Sequence, residues 1–79
     1  MTFKIFYKNG CPYCEKVENT LNEYDLKYKK YVLDKDFTRK EFYELFGEKT
    51  TFPQVFHKKN HIGGSDDTIE YIEAKYGEL

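Results

Sequence analysis

Two cysteines, Cys11 and Cys14, bracket Pro12-Tyr13. A pair at this spacing can ligate a metal or cycle between dithiol and disulfide. Its setting bears on the choice. It follows a short aromatic and β-branched segment, Thr2 to Tyr7, and opens a stretch of helical periodicity. A thiol at a helix start meets unpaired N–H groups and the positive end of the helix dipole, which favour thiolate. Lys8, just upstream, adds a positive charge. Cys11 is therefore the expected nucleophile. Cys14, one turn further in on the apolar face, is shielded and can attack a mixed disulfide formed at Cys11. The bland alternative is a pair of inert buried thiols. As a staple the pair does little, since a bridge closing four residues stabilises by only about 2 kcal/mol in the chain-entropy picture.

The rest of the chain must position this pair. Phe3, Ile5 and Tyr7 fall on one face of a first strand, and Lys8-Asn9-Gly10 is a loop. Pro12 suits the first turn of a helix whose inner face is Cys14, Val17, Leu21 and Tyr24. Tyr28 to Leu33 reads as a second strand. A second helix follows from about Thr38, with Thr38 and Glu41 at capping-box spacing, Phe42, Leu45 and Phe46 inward, and Gly47 as its stop. Gln54 to His57 and His61-Ile62 form strands joined by a tight turn at Lys58-Lys59-Asn60. Ser65, Asp66 or Asp67 can cap a last helix with Ile69, Ile72 and Tyr76 inward. The order is βαβαββα. It predicts an α/β fold, a four-stranded mixed sheet flanked by three helices, with a parallel, right-handed first crossover and an antiparallel last hairpin.

Composition bounds the function. Seventy-nine residues make a single domain, 1–79, and a net charge of −1 argues against a strongly basic nucleic-acid binder. Residues 1–40 carry nine basic and six acidic groups, and 41–79 carry four and eight, so cations are available near the cysteines. Apolar residues are 39% of the chain, and Phe and Tyr together are 19%, so large rings must supply much of the core. Two closely spaced cysteines do not make a secreted disulfide scaffold. No run approaches a membrane span, and the start, Met1 to Ile5, lacks a leader pattern. The expectation is a soluble, cytoplasmic monomer with no membrane or nucleic-acid partner.

Three segments then narrow the reading: Cys11-Pro12-Tyr13-Cys14, Thr51-Phe52-Pro53-Gln54-Val55-Phe56 and Gly63-Gly64-Ser65-Asp66-Asp67. Together, and in this order, they closely resemble the signatures of dithiol glutaredoxins, over about Phe3 to Tyr76. The resemblance implies a thioredoxin-like fold and reduction of disulfides using glutathione. Cys11 would be the nucleophile and Cys14 the resolving thiol. Tyr13 would flank the glutathione groove, and Pro53 would follow a cis peptide bond. The Phe52 backbone would pair with the cysteinyl part of glutathione. Lys8 and Lys40 would hold the glycine carboxylate. The Asp66 and Asp67 backbones would take the γ-glutamyl carboxylate, with the Asp67 side chain on its ammonium. Such a division suits a ligand with two carboxylates and one amine, because lysines and a helix start are both anion sites. The ordinary roles of these residues are solvated lysines and helix-capping aspartates.

The sequence departs from common patterns of that family at three places. Phe52 stands where Val is usual, Glu15 puts a carboxylate in the first turn after the motif, and Ser65 replaces a frequent extra Cys. The sequence also stops short of the flanking helices of longer members. Protein disulfides such as that of ribonucleotide reductase are the expected substrates. The competing readings are a glutaredoxin-like donor reduced by thioredoxin reductase and a carrier of a glutathione-ligated iron–sulfur cluster. A zinc site built from Cys11, Cys14, His57 and His61 has a 42-residue gap after Cys14, far beyond the usual spacing of about 12–15. No metal is expected, and both histidines read as exposed hairpin residues.

Overall fold

The computed structural model describes residues 2–77; Met1, part of the leader reading, lies outside them. The elements are β1 (Phe3–Tyr7), α1 (Pro12–Glu23), β2 (Tyr28–Val32), α2 (Arg39–Phe46), β3 (Gln54–His57), β4 (Asn60–Gly63) and α3 (Ser65–Tyr76). This is the expected order. The strands lie β2-β1-β3-β4. β1 runs parallel to β2, with Phe3 opposite Tyr28, and antiparallel to β3, with Phe3 opposite His57. β3 and β4 are antiparallel, with a register shift between Val55 and Phe56. Such a sheet, centred on β1 with helices against it, is a mixed α/β architecture. No helix among the described residues is long and apolar enough to cross a membrane.

Both faces of the sheet are covered. Phe3, Ile5 and Tyr7 are buried, as the alternation predicts, together with Val17, Leu21 and Ile72 from α1 and α3. Phe6, on the opposite face, meets Phe37, Phe42, Phe46 and Phe56 at ring-centroid distances of 5.2–6.4 Å. Five of the seven phenylalanines thus form a second layer under α2.

Two helix faces differ from expectation. Leu45 is 69% exposed, because Phe42 and Phe46 stand one turn apart and Leu45 projects away from their stripe. In α3 the buried stripe is Ser65, Thr68 and Ile72, while Ile69 is half-buried and Tyr76 exposed. Counting only apolar residues hid Thr68, whose hydroxyl donates to the Gly64 carbonyl at 2.7 Å and so enters the core with its polarity satisfied. The α3 cap residue is Gly64, with no side-chain cap, so Ser65, Asp66 and Asp67 occupy the first turn instead of capping it. At α2 the Thr38–Glu41 capping box forms in both directions.

His57 is not an exposed hairpin residue. It is 2% exposed, stacked on Phe3 at 4.1 Å, with Nδ1 2.7 Å from the Tyr71 hydroxyl. Its side chain follows the strand alternation onto the α3 face, where ring stacking and one hydrogen bond make burial tolerable. His61 is exposed as expected.

Candidate active site

The dithiol sits where β1 hands over to α1. Gly10, at φ +77°, turns the chain, a conformation that side-chain-bearing residues resist. Cys11 is the extended N-cap residue and Pro12 the first helical one, where its missing N–H costs nothing. The Cys14 N–H, one of the unpaired donors of a helix start, points at Cys11 Sγ at 3.3 Å. Cys11 Sγ also lies 3.9 Å from the Phe52 carbonyl oxygen, to which its S–H can donate. Both cysteines are free thiols.

The two sulfurs live in different surroundings. Cys11 keeps 6% of its surface open and lines a groove of about 910 Å³, whereas Cys14 is fully buried. Burial, reinforced by the hydrogen bond to Cys11, pushes the Cys14 thiol up to about 12, against the opposing influence of Lys8. Burial thus disfavours the Cys14 thiolate, and Cys11 is the sulfur that faces the groove.

Of the residues singled out from sequence, Lys8, Tyr13, Phe52, Asp66 and Asp67 line this groove with Cys11. The Phe52–Pro53 peptide bond is cis, and Pro53 is buried behind the wall, its carbonyl oxygen approaching Gly64. Phe52 lies flat on Phe42 at 4.1 Å and carries Lys8 Nζ 5.6 Å above its ring. A larger residue at the Val position thus ties the groove wall into the aromatic layer and gives Lys8 a cation–π seat.

Lys40 borders a neighbouring depression with Tyr43, Glu44 and Glu48, and Arg39 lines the groove. Helix phase is the reason. Arg39 stands one turn before Tyr43, another groove residue, and its guanidinium donates to the Tyr43 hydroxyl at 3.4 Å.

Two further groove residues were not read from sequence. Ser65 is 8% exposed and lines the groove, yet its hydroxyl has no hydrogen-bond partner among the described residues. A buried, unpartnered donor in the first turn of α3 suits an incoming carboxylate oxygen. Gln54, 7% exposed, also faces the groove. Gly63, at φ +125°, leaves room for the Asp67 carboxylate: a Cβ there would stand 2.7 Å from Asp67 Oδ2. Among the described residues, no group of three or more His, Cys, Asp or Glu side chains is placed to hold a metal.

A four-stranded mixed sheet, three helices and an asymmetric dithiol at the first helix start define a thioredoxin-like thiol protein. The family model described as Glutaredoxin matches residues 3–62. Glutaredoxin-C8 of Oryza sativa subsp. japonica is 38% identical over 76 residues, covering 89% of this chain and 55% of that protein. The chain thus spans about half the length of that relative. Glutaredoxin 3 of Escherichia coli K12 is 31% identical over 74 residues, covering 94% of this chain and 88% of that one. The crystal structure of a buckwheat glutaredoxin–glutathione complex superposes with a TM-score of 0.74 at 27% identity, covering 98% of this chain and 71% of that one. The chain belongs to the glutaredoxin family.

Proposed function

We propose that the protein is a glutathione-dependent thiol–disulfide oxidoreductase that reduces protein disulfides and glutathione mixed disulfides through Cys11 and Cys14. The observation that carries this is the pairing of a groove-lining Cys11 with a fully buried Cys14 behind it. The Cys11 thiolate attacks a substrate disulfide, forming a mixed disulfide and releasing one substrate sulfur as thiolate, which takes up a proton. Cys14 then gives up its proton and attacks Cys11 Sγ. The second substrate thiol leaves reduced, and a Cys11–Cys14 disulfide remains. One glutathione thiolate opens that bridge at Cys11 and frees Cys14. A second attacks the glutathionyl sulfur, which yields oxidised glutathione and restores Cys11.

The groove supports glutathione as the reductant. Lys8 and Arg39 supply cations for one carboxylate. The start of α3, with the unpartnered Ser65 hydroxyl, suits the other, and the Asp67 carboxylate suits an ammonium. The Phe52 backbone, beside Cys11 Sγ, offers strand-like pairing to the cysteinyl segment. Protein disulfides such as that of ribonucleotide reductase, a monomeric state and a cytoplasmic setting complete the proposal; a reducing compartment is where such a dithiol would be recharged. The test is a coupled assay with glutathione and glutathione reductase beside one with thioredoxin reductase. Turnover of a small disulfide in the first is expected. Turnover only in the second would overturn the glutathione reading.

A further inference from the structure

We infer that His61 is a positioning residue, holding Gln54 so that the segment Thr51–Phe52 keeps the groove wall in shape beside Cys11. The inference rests on the glutathione reading for one of its readouts only.

The geometry is a short chain of hydrogen bonds. His61 Nε2 lies 2.7 Å from Gln54 Oε1, and Gln54 Nε2 donates to the Thr51 carbonyl at 2.9 Å. Donor logic fixes the roles. An amide nitrogen must face a carbonyl oxygen, so the Gln54 oxygen faces His61, and that oxygen can only accept. His61 Nε2 therefore carries a proton and donates. The bond survives protonation of the ring, because both ring nitrogens of the imidazolium are donors.

His61 is itself fixed from the aromatic layer. Its ring stacks on Phe56 at 4.8 Å and lies 5.3 Å from Phe46. It stands opposite Phe56 across the β3–β4 pair, next to the register shift. Gln54 begins β3 and lines the groove, as do Thr51 and Phe52. The preceding turn is anchored on its other side by Thr50, whose hydroxyl donates to the Phe46 carbonyl at 2.6 Å. The wall segment is thus tied at Thr50 to α2 and at Thr51, through Gln54 and His61, to β4.

The test uses His61→Phe, which keeps the ring packing and removes the donor, and His61→Gln, whose amide can donate again. In the glutathione assay, His61→Phe should raise KM for glutathione by up to about fivefold, the ceiling set by one lost neutral hydrogen bond, with kcat changed less. His61→Gln should return KM to within about twofold of the parent. Alkylation of Cys11 by iodoacetamide should proceed at the parent rate in both. Independently of glutathione, NMR of His61→Phe should show the Gln54 side-chain amide signals displaced and the Phe52 amide exchanging faster. Parent-like KM and parent-like Gln54 and Phe52 signals in a folded His61→Phe protein would overturn the inference. A parent protein inactive with glutathione overturns the functional reading instead, and the NMR result then decides the positioning role alone.

Discussion

Under α1 and α3, the sheet presents Phe3, Ile5 and Val55 to Val17, Leu21 and Ile72, all fully buried, with the Cys14 sulfur among them. Under α2 it presents Phe6 to a layer of rings, Phe37, Phe42, Phe46 and Phe56, and that layer continues through Phe42 onto Phe52 in the groove wall. The first face is sealed, mostly aliphatic, and by burial raises the pKa of the thiol it holds. The second reaches the surface and shapes the place where a ligand would lie. In the proposed reaction each face serves one half of the chemistry: one holds the resolving sulfur, and the other builds the groove around the attacking one.

The sharpest break of this division is at the sulfurs. Cys11→Ser should abolish all turnover, whereas Cys14→Ser should keep activity on glutathione mixed disulfides and lose it on substrates that need a resolving thiol. Paired assays on a small mixed disulfide and on a disulfide-bonded protein measure both. Next come the two cores. Phe42→Ala should lower stability by about 3–5 kcal/mol and Leu21→Ala by about 2–5 kcal/mol, read by urea unfolding. The costs overlap, but only Phe42→Ala removes the support of Phe52, so only it should also raise KM for glutathione.

A smaller effect separates neighbouring cations. Arg39→Glu should raise KM for glutathione roughly tenfold, the effect of losing one charge-assisted hydrogen bond, while Lys40→Glu should change it less than about twofold. Equal effects would show that the groove reaches Lys40.

The mildest expectation concerns acid. Burial, then the charges of Lys75 and Lys58, hold the His57 pKa below its ordinary 6.5. A neutral buried histidine binds fewer protons folded than unfolded, so its contribution is complete above the unfolded value of 6.5. It is lost progressively as pH falls from there through the lower folded value. Thermal unfolding at pH 7.5 and 5 should show this loss, and His57→Phe should reduce it.

Much of this was legible in the residues. Strand alternation gave β1, the Thr38–Glu41 spacing gave the start of α2, and Pro12 with the periodicity after it gave the helix start at Cys11. What escaped depended on partners far along the chain. Thr68 and His57 are polar, and nothing local shows that Gly64 and Tyr71 satisfy them. The choice of Arg39 over Lys40 turns on helix phase relative to a groove whose other residues come from distant segments. The unpaired Ser65 hydroxyl is invisible to any pattern, because it is defined by the lack of a neighbour in space.

A division of two identical thiols into an attacking and a resolving sulfur can be read out chemically. Brief alkylation of the reduced protein with iodoacetamide at pH 7, followed by mass spectrometry of the peptides, tests it directly. Modification is expected at Cys11 first, with Cys14 unmodified until the protein is unfolded. Preferential labelling of Cys14, or equal labelling of both in the folded protein, would contradict it.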